Sequence, residues 1–232
     1  MASIIGHRGA AGLAQENTID SIKAAIDAKI DAVEFDIRRT KDGQLVVLHD
    51  RGTGRVAKEH GTIRDLTLAE VRSIILNNGE MVPTLDEVLT AVGSKPAIIE
   101  TKDEGVTEEL VHVLARHPKA RPIFASFRHE ELRRLQAAFP HVHIYVLEHL
   151  SPIDIINSAR GLRAYGIGLN KWLMNPFTYY LAKHYSLELY VYSVNSPLLG
   201  AFFKLFYPRV HLCTDHPERF IHMKRSKHDR PL

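Results

Sequence analysis

The chain has 232 residues, is 45% hydrophobic and 25% charged, and carries a formal net charge of +3, ordinary globular values that allow one barrel-sized core as readily as two small ones. From Met223 onward Lys224, Arg225, Lys227 and Arg230 stand against Asp229 alone, so a basic tail (223–232) supplies the whole excess. The balanced remainder (1–222) speaks against a nucleic-acid groove. The single cysteine, Cys213, excludes an intramolecular disulfide framework and any multi-cysteine metal site. No apolar run reaches membrane-spanning length, and the first one starts too near Met1 to leave room for a signal peptide, so a cytoplasmic protein is expected.

Taken in order, the apolar runs are "SIIGH", "AVEFDI", "QLVVLH", "PAIIETK", "RPIFASF", "HIYVLE", "YGIGLN", "LELYVYSVN" and "RVHLCTD". Amphipathic stretches such as "TIDSIKAAIDAKI", "TEELVHVLARH", "HEELRRLQAAF" and "NPFTYYLAKHY" lie between them, the pattern of repeated βα units and a parallel sheet. Asn17 is positioned to cap the first helix, and Pro83-Thr84 to start another. The third run follows the second by only "RRTKDG", too short for a parallel crossover, and Asp42-Gly43 is a hairpin signal. Reflection about that turn places His49 roughly opposite Asp36. Setting the hairpin arm aside leaves eight parallel strands, so the expected fold is a single-domain (β/α)8 TIM barrel with a β-hairpin extension after strand two. Between Arg51 and Val82 runs the longest excursion, with "TLAEVRSII" helical inside it.

In such a barrel the chemistry belongs at the C-terminal ends of the strands. Strand one ends on His7-Arg8. Strand two carries Glu34 and Asp36 on one face, the hairpin arm ends on His49-Asp50, and the next strand carries Glu100 and Lys102 on one face. Any one of these pairs alone reads as a rim carboxylate or a local ion pair. Together, three converging carboxylates cannot all stay ionised without a compensating charge, and one hard divalent cation, Mg²⁺ or Ca²⁺, is the simplest. Arg8 and Lys102 then call for an anion of their own, for which phosphate is the natural candidate. Two histidines beside it complete a hydrolytic logic of general base and general acid, with His7 assigned the base role and His49 the acid role.

His7-Arg8-Gly9, Glu16-Asn17-Thr18, Glu34-x-Asp36, His49-Asp50 and Glu100-x-Lys102, in this order, resemble the glycerophosphodiester phosphodiesterase family, as do Ser126-Phe127, "VYSVN" and Thr214-Asp215-His216-Pro217. The resemblance runs from Ile4 to about Pro217 and implies a PLC-like barrel that hydrolyses glycerophosphodiesters to glycerol 3-phosphate and an alcohol with a divalent metal. By position it puts metal ligands on Glu34, Asp36 and Glu100, catalytic histidines on His7 and His49, and phosphate contacts on Arg8 and Lys102. Glu16, Asn17, Ser126, Tyr192 and Trp172 are supporting candidates: Glu16 to brace Arg8 or reach the metal, Trp172 as pocket wall or as ordinary core. Tyr192-Ser193 stands where the family usually has a tryptophan-threonine pair, and Gln15 where it often has a proline, which bears on substrate preference. Two rivals remain: a related barrel phospholipase or lyase acting on a lysophospholipid or phosphoinositide headgroup, and an inactive phosphodiester-binding barrel.

Overall fold

The computed structural model describes residues 3–148 and 151–223; the tail from Lys224 onward lies outside the described residues. Strand β1 (Ile4–Gly6) leads through helix α1 (Ile19–Asp27) to β2 (Ala32–Arg39), which turns back into β3 (Leu45–Val47). Helix α2 (Leu68–Ser73) lies in the excursion, and α3 (Leu85–Val92) leads to β4 (Pro96–Thr101). Then α4 (Thr107–Arg116), β5 (Arg121–Ser126), α5 (His129–Ala138), β6 (Ile144–Glu148), α6 (Pro152–Gly161) and β7 (Gly166–Asn170) alternate. The chain ends through α7 (Pro176–His184), β8 (Glu188–Tyr192), α8 (Pro197–Phe206) and β9 (Val210–Thr214), with a 3-10 segment at Pro217–Met223. Each strand from β4 to β9 pairs in parallel with the next, β2 with β4, and β1 with both β2 and β9, so the sheet closes into an eight-stranded parallel barrel. β3 is the antiparallel ninth strand.

Local chemistry explains where the helices begin. Thr18, Thr67 and Thr84 each close a capping box, with Ser21, Glu70 and Glu87 respectively. Ser151, Asn175 and Ser196 each cap a helix whose first residue is proline, which fixes φ and lacks an N–H to satisfy. Asn17 is therefore not the cap of α1. It precedes the cap in a left-handed conformation (φ 59°), which asparagine tolerates better than most residues, and its side chain faces the barrel.

Strand alternation sorts two cores. On β2 Val33, Phe35 and Ile37 face the helical layer, while Ala32, Glu34, Asp36 and Arg38 occupy the alternate, barrel-side positions. Inside the barrel Ile5, Ala32, Ile98, Ala125, Tyr145 and Tyr190 pack below the carboxylates. The excursion carries a small core of its own, built from Val56, Ala57, Ile63, Val71, Ile74 and Leu76 against Val46 and Leu48.

The hairpin differs from its expected register by one residue. β3 pairs Arg38 with Val46 and Arg39 with Leu45, so Leu48 rather than His49 donates to the Asp36 carbonyl (3.0 Å). Thr40 and Gln44 bracket a three-residue loop in which Gly43 takes φ 85°, the left-handed position that such loops reserve for glycine. No described helix is long and apolar enough to cross a membrane.

Candidate active site

A cavity of about 730 Å³ opens at the C-terminal rim, lined among others by His7, Arg8, Glu34, His49, Glu100, Lys102 and Tyr192. Asp36, 1% exposed, lies buried beside it. In the strand register Asp36 sits level with Glu100, which is why two acids from neighbouring strands meet. One carboxylate oxygen each from Glu34, Asp36 and Glu100 lies within 4.8 Å of the others. All three are buried, an oxygen-only donor set that suits a hard divalent cation.

The protein compensates this charge with two cations. Lys102 Nζ contacts Glu100 and lies 3.0 Å from Asp36 Oδ1, an oxygen that accepts no hydrogen bond of ordinary geometry. Arg8 Nη1 reaches Glu16 at 2.8 Å and its Nε stands 3.5 Å from Asp36 Oδ2, while its backbone N–H donates to Glu34 Oε2 at 2.8 Å. Burial, then Asp36 and Glu100, push the Glu34 carboxyl well above the ordinary carboxylate range. Burial followed by Asp36 pushes Glu100 up to about 7 against the pull of Lys102. For Asp36 burial works upward, but Lys102, Arg8 and His49 outweigh it and hold the group low. The cluster thus keeps one firmly ionised carboxylate and two that resist ionising, as expected where like charges crowd a dry site.

Each histidine has a carboxylate partner. His7 Nδ1 lies 2.6 Å from Asp215 Oδ1, and His49 Nδ1 lies 2.7 Å from Asp50 Oδ1. A proton on each Nδ1, given to its carboxylate, leaves both Nε2 atoms bare, a tautomer assigned from the hydrogen-bond network. Asp50 is shared with Arg55 Nε (2.7 Å), whereas Asp215 is held by Asn195 Nδ2 (2.5 Å), a neutral donor. Burial lowers the His49 pKa, and Asp36 only partly restores it.

The supporting candidates separate clearly. Glu16 braces both Arg8 and Arg55 and is not part of the acidic trio. Asn17 locks Asp36 from behind, donating Nδ2–H to Oδ2 (2.9 Å) and accepting the Asp36 N–H (3.2 Å). Ser126 is buried and ties Thr101 to Arg128. Gln15 fastens the β1 loop to the excursion through Val56 and Asn78. Tyr192 and Ser193 wall the cavity, and Ser193 Oγ comes within 3.2 Å of His7 Nδ1. Trp172 does neither of the things expected of it. It is 80% exposed on the 3-10 turn after β7, a turn that Asn170 caps, beside Lys171, and it is not among the residues that line the cavity.

Asp215, Asn195 and Asp50 stood inside quoted motifs (Thr214-Asp215-His216-Pro217, "VYSVN" and His49-Asp50) but were given no role from the sequence. Asp50 carried a signal by adjacency to His49. Asp215 carried one too, since an acid closing the last strand of a barrel falls next to the first.

Comparison with known proteins agrees with this geometry. Residues 7–219 match the profile of the Glycerophosphoryl diester phosphodiesterase family. A glycerophosphodiester phosphodiesterase of Caldanaerobacter subterraneus is 30% identical over 179 residues, 71% of this chain and 74% of its own length. One from Bacillus subtilis is 30% identical over 223 residues, 83% and 76% of the two chains. In fold the chain resembles an Oleispira antarctica phosphodiesterase solved in complex with the product sn-glycerol-3-phosphate (TM-score 0.88, 23% identity, 96% of each chain covered). It also resembles the Thermotoga maritima glycerophosphodiester phosphodiesterase (TM-score 0.81, 24% identity, 97% and 99% covered).

Proposed function

The chain belongs to the glycerophosphoryl diester phosphodiesterase family and is a phosphoric diester hydrolase, and we propose that it cleaves glycerophosphodiesters to glycerol 3-phosphate and an alcohol by two-histidine acid–base catalysis. The observation that carries this reading is the meeting at one rim of two carboxylate-backed histidines, three buried acids and two cations.

Glu34, Asp36 and Glu100 would hold one divalent cation, Mg²⁺ or Ca²⁺. When bound, it would supply Lewis-acid stabilisation of phosphoryl charge. Arg8 and Lys102, now turned to carboxylates, would trade part of that contact for the substrate phosphate. Arg offers a planar fork and Lys a point charge. His7, with its Nδ1 proton committed to Asp215, would take the proton of the attacking hydroxyl at Nε2. His49, on the hairpin arm with Nδ1 turned to Asp50, would act as the imidazolium: a proton taken from water at Nε2 as the phosphate binds is the one it gives to the leaving alkoxide, and His7 afterwards returns the proton it collected to water. Asn17 acts through Asp36 and positions it.

The test is turnover of a panel of glycerophosphodiesters with and without chelator, the products identified. Release of glycerol 3-phosphate that stops with chelator and resumes with Mg²⁺ or Ca²⁺ is expected. A cyclic phosphate as the final product would replace hydrolysis with a lyase reaction, and no turnover of any diester would refute the assignment.

A further inference from the structure

Next to the cavity lies a groove of about 250 Å³ whose lining shares Arg38, Arg51 and Arg128 with it and adds Arg64. Two of these arginines are fastened to the backbone of the site itself. Arg38 donates from Nε and Nη2 to the His49 carbonyl (2.9 and 2.7 Å), and Arg128 Nε donates to the Lys102 carbonyl (2.9 Å). Arg51 follows His49 by two residues. No hydrogen bond or ion pair ties the Arg51 or Arg64 side chain among the described residues, and both residues are exposed.

The acids of the groove do not neutralise it. Asp103 gives one oxygen to Arg38 Nη1 and the other to the Arg39 N–H, and Glu104 pairs with Arg128. Asp65 alone remains against Arg51 and Arg64. A guanidinium without a carboxylate partner on the wall of a substrate cavity favours an anion from outside. The cavity is also lined by aromatic rings, Phe127 beside Arg128 and, from β8, Tyr190 and Tyr192.

We propose that the leaving alcohol of the preferred substrate carries a negative charge of its own, a carboxylate or a phosphate, held by Arg51 and Arg128 in the groove beside His49. The inference rests on the phosphodiesterase reading above and adds the class of alcohol. A quaternary ammonium alcohol would meet four arginines there, and a neutral polyol would leave Arg51 unpaired.

Matched diesters of glycerol 3-phosphate test it: with glycerol (neutral), glycerate (carboxylate), glycerol phosphate (a second phosphate) and choline (cationic). The quantity read is kcat/KM for each anionic diester relative to the glycerol diester. In the wild-type enzyme at least one anionic diester should lead, and the carboxylate and phosphate arms separate the two sources of charge. Arg51→Gln should lower that ratio roughly ten-fold, the scale of one hydrogen bond to a charged group, and Arg51→Lys should keep most of it. The ratio should also shrink as salt is raised. Hydrolysis of neutral and choline diesters with no anionic preference, or a ratio unmoved by Arg51→Gln, would overturn the inference and leave the phosphodiesterase reading standing. Failure to hydrolyse any diester would overturn both.

Discussion

Replacing Asp215 by Asn should disable His7 without disturbing its position. Asn195 Oδ1 already accepts two donors, the Asp215 N–H (2.9 Å) and the Thr214 hydroxyl (3.1 Å), so its amide is fixed with Nδ2 toward Asp215 Oδ2. An asparagine at 215 must therefore turn its oxygen to Asn195 and its NH₂ to His7 Nδ1. The imidazole would then carry its proton on Nε2, the atom that has to be bare to act as a base. The expected loss is that of one general base, roughly 10²–10⁴ in kcat, or about 3–5 kcal/mol of barrier. KM should change far less. Glycerol 3-phosphate release from the best diester of the panel measures it, with a urea melt as a check on folding. The double variant Asp215→Asn with Asn195→Asp sharpens the test. The carboxylate introduced at position 195 accepts the new NH₂, the side-chain oxygen at position 215 faces His7 again, and about ten-fold of the loss should return, the scale of one hydrogen bond to a charged group. A single variant within about three-fold of wild type, well short of the loss of one general base, or a folded double variant no better than the single one, would refute this orientation of His7.

His7→Ala and His49→Ala should each lower kcat by roughly 10²–10⁴, and a nitrophenyl ester, whose leaving group scarcely needs an acid, should rescue only the His49 variant; rescue of the His7 variant instead reverses the roles. Asn17→Ala removes two hydrogen bonds to buried Asp36 and leaves a left-handed alanine, so a urea melt should show a loss of about 2–4 kcal/mol, and a loss below about 0.5 kcal/mol would remove Asn17 from its assigned post. Glu34 and Glu100 keep protons in the folded chain that ordinary carboxyls, with a value near 4.5, have already released. The stability this gives the metal-free protein is full below that value and is lost as pH rises through about 7, where Glu100 must ionise. Asp36, held low, loses its contribution only at far more acidic pH. Added Mg²⁺ or Ca²⁺ should consequently raise Tm more at about pH 8 than at about pH 5, and equal shifts at the two would count against the trio as the cation site.

The barrel was legible because hydrophobic alternation and crossover length are local, and a gap as short as "RRTKDG" between two strands admits only a hairpin. The acids and cations of β2 and β4 were legible for the same reason, since two-residue spacing fixes a face whatever the rest of the chain does. The register of His49 was one residue out because the turn is a three-residue loop hinged on Gly43, a choice that backbone dihedrals make and composition does not. Asn17 read as a cap because an asparagine before a helix can satisfy either the backbone or a distant carboxylate, and Asp36 lies 19 residues away. Asp215 and Asn195 belong to the same class of contact, 208 residues from His7 in the first case. Trp172 misled in the opposite direction, since an aromatic beyond a strand end reads as pocket wall until the turn that carries it is known.

The contact between His7 and Asp215 spans the seam where the last strand meets the first. The acidic trio and Lys102 are complete once the chain has been made through β4, yet the ring that would take the proton has no fixed orientation until β9 docks beside β1. During synthesis or refolding, the capacity to bind a cation should therefore appear well before the capacity to turn over substrate. The lag between the two is a clock for closure of the barrel, and a chain cut short between β4 and β9 would carry every acid of the trio while lacking the partner that orients His7.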